Sequence, residues 1–335
     1  MARIDTLVNF LTDVAAAIKS KTGKTETIKP ENFDIEIAAI TSSGDSSESM
    51  DISYIAAVDT SEGELCTKLP DGITGIGDHA FRNKINLGLT ELPDSIVSIG
   101  YDGFYQCTNL KLTKLPANLQ EVGSYAFQGC SELPLTELPN NLKTVKSYAF
   151  DGCKKLALTK LPDSLEQIEN YAFQSCSGMA LSGVFPSTLT SIGDYAFNSA
   201  GIGAIEIPDN VTSMGQRAFS NSSITSIKLG TGITGINMQC FASTSKLTKV
   251  TCYGDITSVS GGAFNGARAL KTLLLPNVTG VPYMANDYTI YDCPLRNGAG
   301  TVYVPDDLVD AFKSAQYWSS LASNIKPISS YMGEI

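Results

Sequence analysis

The sequence predicts an α+β repeat fold. We expect a solenoid of about ten 22–24-residue repeats with short parallel strands, an N-terminal helical hairpin and a C-terminal capping helix. Two observations support this prediction. Phenylalanines recur at steps of 22 to 24 residues from Phe81 to Phe264, and the positions twelve, eight and five residues before each Phe are apolar. One repeat cannot bury these side chains alone, whereas stacked copies bury them in one continuous core.

Each repeat is predicted to contain two extended pieces and a turn. The pattern L-x-L-T-[EK]-L-P predicts a short strand that ends at proline, which cannot donate to a ladder. LxxIG predicts a second extended piece, and YAFxxC a tight turn or a single helical turn. Glu91, Lys114, Glu137 and Lys160 alternate in sign at equivalent strand positions, where parallel neighbours lie about 4.8 Å apart. We interpret them as ion pairs that link neighbouring strands (lacing), with a binding stripe as the alternative.

The position three residues after the phenylalanine holds cysteine in the earlier repeats and other small residues later: Cys107, Cys130, Cys153, Cys176, Ala200, Ser222, Thr244 and Ala267. A free cysteine packs as a small, fairly apolar group, so we predict a buried packing ladder. Disulfides between adjacent repeats are a geometric alternative. The chain has one histidine and no CxxC pair, which argues against a zinc site.

The repeat pattern LPxxLxxIGxYAFxxCxxL resembles the BspA-like class of leucine-rich repeats from about Leu65 to Pro305. Two departures stand out. The last repeat, after Pro276, is degenerate and clearly keeps only Cys293, and the earlier LxLTELP motif is replaced by AIEIP or SIKL, with one residue fewer, in later repeats. The resemblance implies a leucine-rich repeat solenoid over residues 51–305. It also implies a role in adhesion on bacterial or protozoan surfaces, without naming a ligand.

Residues 306–335 are predicted to cap the open end of the solenoid. Pro305 and the aspartates after it are typical of a helix start, and Leu308 and Phe312 follow helical spacing. The only tryptophan, Trp318, belongs either to this cap or to a binding pocket.

Residues 1–40 are predicted to form a helical attachment or oligomerisation module, joined to the repeats by a Ser-rich linker over residues 41–50. The first helix carries a short heptad seam of Ile4, Leu7, Leu11, Val14 and Ile18. A second helix begins at Pro30. So small a hairpin needs something to dock on, and the linker favours a second copy or another protein over the solenoid.

The segment LTDVAAAIKSKTGKTETIKPENFDIEI, from Leu11 to Ile37, resembles N-terminal modules of tail-associated proteins of phages and prophages. This resemblance implies attachment to tail or baseplate proteins. It suits a chain without the charge and hydropathy order of a secretory signal peptide.

Composition and motifs argue against most other functions. The net charge of −10, the pI of about 4.7 and the lack of basic clusters argue against nucleic acid as a partner. No apolar run is long enough to insert into a membrane. The GKT at residues 23–25 resembles part of a P-loop, but Ile18 stands where the motif needs glycine. His79 is expected to be an ordinary surface group. We predict no enzyme, no metal and no cofactor.

The best candidate ligand-contact site is a column of tyrosines two residues before the phenylalanines: Tyr125, Tyr148, Tyr171 and Tyr195. Stacked repeats would align them as an aromatic stripe. Such a stripe either stiffens the solenoid or contacts a ligand.

Together these features favour a phage tail-fibre type protein located in the virion. The N-terminal helices would bind tail or baseplate proteins or further copies of the chain, with a homo-trimer favoured, and the repeats would bind a host-surface protein or glycan receptor. The alternatives are a bacterial cell-surface adhesin of the same repeat class and a protein-interaction scaffold.

Overall fold

The described part of the chain winds into successive stacked turns that form a parallel β-solenoid. The computed structural model describes Leu69 and residues 73–334. The predicted helical hairpin and linker, residues 1–50, lie outside the described residues. Within the described part, no helix is both long enough and apolar enough to span a membrane.

The regular elements are short. The strands are β1 (Gly75–Ile76), β2 (Ser98–Ile99), β3 (Glu121–Val122), β4 (Thr144–Val145), β5 (Gln167–Ile168), β6 (Leu181–Val184), β7 (Ser191–Ile192), β8 (Ile202–Ile207), β9 (Ser213–Met214), β10 (Ser226–Leu229), β11 (Gly235–Ile236), β12 (Lys249–Cys252), β13 (Ser258–Val259), β14 (Thr272–Leu274), β15 (Tyr283–Met284), β16 (Thr301–Val304) and β17 (Ile325–Pro327). The α-helix α1 covers Val309–Ser314, and 3₁₀ turns cover Asp287–Ile290, Asp306–Leu308, Trp318–Asn324 and Ile328–Ser330.

All strand pairs are parallel and join equivalent positions of successive turns. The two-residue strands form one sheet in the order β1-β2-β3-β4-β5-β7-β9, and β11-β13-β15 continue the same position in the later turns. The longer strands form a second sheet in the order β6-β8-β10-β12-β14-β16-β17, which we call the long-strand sheet. The chain therefore visits both sheets once in each later turn.

The segment L-x-L-T-[EK]-L-P is not a strand in the earlier turns, contrary to the prediction. Its last two buried leucines are three residues apart there, as in Leu112 and Leu115, whereas a strand points every second side chain to the same face. In the later turns the buried pair is two apart, as in Ile205 and Ile207, and regular strands form. This spacing of the buried side chains thus prevents a regular ladder in the earlier turns.

The change between the two repeat types occurs in β6. Its pairing with β8 shifts register between Leu181 and Gly183, which marks a bulge. Gly183 has φ of +85°, a left-handed conformation that costs glycine little. One residue is absorbed here, so the turns before and after remain stacked in one core.

The core is organised around one phenylalanine in each turn. From Phe81 to Phe264 these side chains are at most 1% exposed, and successive rings stack with centroids 5.1–5.8 Å apart and interplanar angles of 5–10°. The leucine, isoleucine and valine columns predicted from the sequence surround this stack and are buried with it. The core is therefore one continuous column rather than a set of separate clusters.

The cysteine column packs beside the phenylalanine stack. All seven described cysteines are buried and free. Four of them donate a hydrogen bond from Sγ to the carbonyl oxygen of the phenylalanine one turn earlier, at 2.9–3.1 Å. In the later turns Ser222 and Thr244 use their hydroxyls similarly, on the phenylalanine of their own turn. The position thus takes a small side chain, often one with a proton to donate.

The C-terminal segment differs from the single capping helix of the prediction. Only Val309–Ser314 is α-helical, and β17 adds an edge strand to the long-strand sheet. Trp318 is 1% exposed, and its Nε1 donates to the carbonyl oxygen of Pro282 at 2.7 Å. Its ring packs edge-to-face against Phe312. Trp318 is therefore part of the packed end of the solenoid and lines no open pocket.

We predict that Phe150→Ala lowers the free energy of unfolding by ~3–5 kcal/mol, because it opens a cavity between two stacked rings that cannot collapse. Urea denaturation followed by far-UV circular dichroism measures this change. Tyr148→Gln, in the same turn but partly exposed, is the control and should cost roughly half as much or less. Equal losses for the two variants would contradict a core centred on the phenylalanine stack.

We also predict that the seven described cysteines do not react with Ellman's reagent at pH 8 until the chain is unfolded. Burial raises the pKa of Cys107, Cys240, Cys252 and Cys293 to about 12 and that of the other three well above the usual range. The reactive thiolate is therefore scarce at pH 8. Cys66 lies outside the described residues, so the assay uses Cys66→Ser. Rapid labelling of this variant in its native state would disprove the buried ladder.

Candidate functional site

The predicted tyrosine column lies in the tight turn that contains YAFxxC. The tyrosines have φ of 56–61°, and the residues two after each phenylalanine, such as Ser175, are also left-handed. Two left-handed residues in one short segment prevent a helical turn, which settles between the two predicted alternatives. Each non-glycine residue in this region costs ~1–3 kcal/mol and persists only where its surroundings hold it.

Hydrogen bonds to the next turn hold the tyrosines in this conformation. The backbone N–H of each of the four donates to a carbonyl oxygen one turn further along the chain, at 2.8–3.0 Å. The N–H groups of the phenylalanines do the same, as in Phe127 to Ala149 at 2.8 Å. The turn conformation therefore depends on stacking, and the side chains it carries are placed by the array rather than by one repeat.

The structure brings the four predicted tyrosines together as one stack. Ring centroids of Tyr125 and Tyr148, Tyr148 and Tyr171, and Tyr171 and Tyr195 are 4.6, 4.4 and 4.6 Å apart, with interplanar angles of 6–10°. All four residues are partly exposed. We call this feature the tyrosine row.

Both ends of the tyrosine row are covered. Tyr101 packs edge-to-face against Tyr125 at 5.4 Å. At the other end the Arg217 guanidinium lies 5.4 Å from the centroid of Tyr195, and its Nη1 donates to the tyrosine hydroxyl at 2.9 Å. Every ring thus has both faces against a neighbour. A ligand can meet only ring edges and hydroxyl groups.

The hydroxyl of Tyr148, in the middle of the row, stays protonated at neutral pH. Desolvation raises the pKa of Tyr148, and the neighbouring Tyr171, Tyr125 and Asp151 raise it further. The Tyr148 hydroxyl can therefore both donate and accept hydrogen bonds.

A second, polar row accompanies the tyrosines and was missed by the sequence analysis. Asp151 accepts hydrogen bonds from Nε2 of Gln128 at 2.7 Å and from Nε2 of Gln174 at 3.3 Å, each one turn away. Partial burial raises the pKa of the Asp151 carboxyl, and the two amide donors partly offset this. The available signal was the Gln-Asp-Gln sequence at the position one residue after the phenylalanine in three successive repeats.

The first turns carry a different cluster at the tyrosine position. Asp102 replaces tyrosine there, and its side chain is only 4% exposed. Its Oδ2 pairs with Nη1 of Arg82 and lies 3.3 Å from Nδ1 of His79. The His79 side chain is 51% exposed, and its ring packs on Tyr101 at 5.3 Å. This cluster closes the N-terminal end of the row.

The charged residues Glu91, Lys114, Glu137 and Lys160 are all exposed. Among the described residues, no ion pair within 4.0 Å joins its members, so the predicted lacing is wrong at this position. The turns still stack here, since the Thr113 N–H donates to the carbonyl oxygen of Thr90 at 3.4 Å, but exposed charges gain little from pairing. Ion pairs between turns run elsewhere, as in Lys143 with Glu166 at 2.9 Å.

A later member of the tyrosine column was also missed. The N–H of Phe264 donates to the carbonyl oxygen of Thr289, so Ile290 occupies the phenylalanine position in the last turn. Tyr288, two residues before Ile290, therefore falls in the tyrosine column. Tyr288 is 49% exposed and accepts a hydrogen bond from Asn265. A 26-residue step hides it in the sequence, although Cys293 keeps its spacing of three from Ile290.

The remaining predicted site residues are those of the N-terminal heptad seam. The seam of Ile4, Leu7, Leu11, Val14 and Ile18 lies outside the described residues. In the part of the chain that the structure describes, no group of three or more His, Cys, Asp or Glu side chains could hold a metal ion.

Solved structures of bacterial proteins with leucine-rich repeats are similar to this chain. A leucine rich cell surface protein from Faecalibacterium prausnitzii is 22% identical, with 76% of this chain and 86% of that chain covered and a TM-score of 0.35. A leucine-rich repeat protein from Bacteroides ovatus is 18% identical (76% and 88% covered, TM-score 0.29). The pneumococcal vaccine antigen PcpA is 15% identical (76% and 83% covered, TM-score 0.39).

Comparison at the sequence level gives one family. No curated protein matches the chain. Nothing in the comparisons supports the resemblance of residues 11–37 to phage tail-associated modules. The model described as "BspA type Leucine rich repeat region (6 copies)" matches residues 66–180 and 181–294, which is well over half of the sequence. This match confirms the resemblance inferred from the repeat motif, and the chain belongs to the BspA type leucine-rich repeat family.

Proposed function

We propose that this chain is a non-catalytic binding protein of a bacterial cell surface, an adhesin whose solenoid binds a receptor on a host surface. The observation that carries the proposal is the tyrosine row, an ordered strip of aromatic edges and hydroxyls beside a row of amide and carboxylate groups. Family membership supports a role in binding.

The tyrosine row suits recognition because its side chains are already ordered. Tyrosine offers apolar area and a hydroxyl, and it is enriched among residues that dominate binding energy. Stacking at 4.4–4.6 Å holds each ring on both sides. Little rotamer entropy is then lost when a partner binds, and that loss is one of the main costs of association.

The covered ring faces favour a protein receptor over a glycan. A sugar ring that stacks on an aromatic side chain needs a free face, whereas an extended protein surface can use edges and hydroxyls. The Gln128–Asp151–Gln174 row adds donors and acceptors beside the aromatic strip. We therefore place a host-surface protein first and a glycan second as the receptor class.

The attachment of the chain to its own particle or cell is a separate proposal. Residues 1–40 would associate through the heptad seam, with a homo-trimer favoured, or bind another protein. The family match supports the cell-surface adhesin better than the phage tail-fibre hypothesis, which rests on residues 11–37 alone. Several solenoids on one oligomer would gain avidity from weak individual contacts.

We predict that Tyr148→Gln/Tyr171→Gln weakens receptor binding by at least about tenfold, because it removes two central members of the row. Gln239 occupies the same position of its turn with φ of 53°, so glutamine fits this backbone. Labelled full-length protein is applied to arrays of extracellular-matrix proteins and of glycans.

The matched control for this assay is Lys114→Gln/Lys160→Gln, which changes two exposed residues of another column. It should bind as the wild type does. Unchanged binding by the tyrosine variant, with its circular dichroism spectrum intact, would move the contact surface away from the tyrosine row.

We further predict that the full chain is an oligomer and that Leu7→Asp/Leu11→Asp is a monomer, since charge in a heptad seam opposes helix association. Light scattering measures both masses. Monomeric wild-type protein would rule out self-association through the seam and leave a foreign partner for residues 1–40.

A further inference from the structure

The outer face of the long-strand sheet differs in chemistry from the rest of the molecule. Its inward positions are apolar and buried, as in Ile227 and Val250. The outward positions that pair across successive strands are Glu206, Lys228, Thr251, Leu274, Tyr303 and Lys326. Lys249 also points outward, two residues before Thr251. In a chain of net charge −10, three lysines against one glutamate make this face locally basic.

Two of these outward residues are nevertheless completely buried. Thr251 and Leu274 are both 0% exposed. Residues 331–334 explain this, because the Tyr331 ring packs against Tyr303 of β16 at 4.9 Å and lies 5.1 Å from Nζ of Lys249 on β12. Strand β14 runs between β12 and β16, so a ring that contacts both lies over β14 and its outward Leu274.

The acidic end of the same segment lies among the lysines. Nζ of Lys249 donates to the carbonyl oxygen of Glu334 at 2.6 Å. Tyr253 raises the pKa of Lys228, and the charges of Glu206 and Glu334 add to the effect. The segment therefore places an aromatic ring over the apolar part of the face and a carboxylate near its positive part.

One buried side-chain oxygen on the covered face lacks a hydrogen-bond partner. Within the described residues, Oγ1 of Thr251 is the buried side-chain polar atom that has no hydrogen-bond partner. Burying a hydroxyl without a partner is unfavourable. A segment that crossed the face with a backbone donor or acceptor above Thr251 would remove this defect, and residues 331–334 do not.

The segment is also weakly attached. Among the described residues, the hydrogen bond from Lys249 to Glu334 is the one that joins residues 331–334 to the sheet face, and Met332 is 97% exposed. Ring contacts of Tyr331 with Tyr303 and Lys249 add to this attachment. Contacts so few can be exchanged for those of a competing ligand.

We propose that this face, formed by Lys228, Lys249, Thr251, Leu274 and Tyr303, is a docking surface for an acidic, aromatic-containing extended peptide segment of a partner protein, and that residues 331–334 occupy it in cis as a displaceable cover. It is distinct from the tyrosine row, which lies on the turns of the earlier repeats. Leu274 and Tyr303 select an aromatic or apolar side chain, and the lysines select carboxylates. An anionic polysaccharide would satisfy the lysines but would leave Leu274 exposed to water.

The test measures binding of a fluorescein-labelled peptide with the sequence of residues 328–334, ISSYMGE, to the full chain by fluorescence anisotropy. The cover competes with this peptide in the wild type. Tyr331→Ser should release it and lower the Kd of the peptide about tenfold, as expected when the competent state rises from a tenth of the molecules to nearly all. Glu334→Lys changes only an exposed charge and should lower the Kd about two- to fivefold.

When Lys249→Gln is combined with Tyr331→Ser, it should remove most of the gain in peptide affinity. Lys160→Gln changes an exposed lysine of another column and should leave that gain unchanged. A scrambled peptide of the same composition should bind less tightly. Circular dichroism and the melting temperature establish that each variant is folded.

Three results would overturn the proposal. The first is an equal peptide Kd for wild type, Tyr331→Ser and Glu334→Lys. The second is an equal effect of Lys249→Gln and Lys160→Gln, which would indicate nonspecific charge attraction. The third is binding of dextran sulfate at this face, lost in Lys249→Gln, with no binding of the peptide, which would assign the surface to anionic polysaccharides. All three leave the role of the tyrosine row untouched.

Discussion

The stacking of one buried phenylalanine in each turn is the constraint on which the rest of this structure depends. Parallel strands repeat at about 4.8 Å, and the rings stack at 5.1–5.8 Å, so every turn must return the chain to nearly the same point. A turn that gained or lost a residue without compensation would displace its phenylalanine from the column. The bulge between Leu181 and Gly183 shows how the chain absorbs such a change.

The strained turns follow from the same constraint. A left-handed tyrosine is unfavourable in isolation, yet its N–H donates to the next turn and its ring is packed on both faces. Interactions with the neighbouring turns therefore offset the energetic cost of this conformation. The other columns inherit the register of the phenylalanine stack, which is why the tyrosines, a polar row and the buried thiols each line up over successive turns.

The two repeat types divide the molecule into two surfaces of different chemistry. The earlier turns have leucines three apart, no regular strand at that position and the tyrosine row on their tight turns. The later turns have alternating apolar residues, and their strands present outward side chains at regular spacing. The spacing of the apolar residues in this segment, three apart or two apart, thus decides whether the outer face is an irregular charged edge or an ordered sheet.

Much of this protein is determined by its sequence alone. The period, the buried columns, the cysteine ladder and the alignment of Tyr125, Tyr148, Tyr171 and Tyr195 all follow from counting residues, because a solenoid places equal positions above one another. Only the tertiary structure decided the rest. The spacing of Leu112 and Leu115 does not reveal that a strand fails to form until the neighbouring turn is in place. Residues 331–334 cover Leu274 through contacts with strands that are some thirty to eighty residues away in the chain, and such contacts leave no periodic signal.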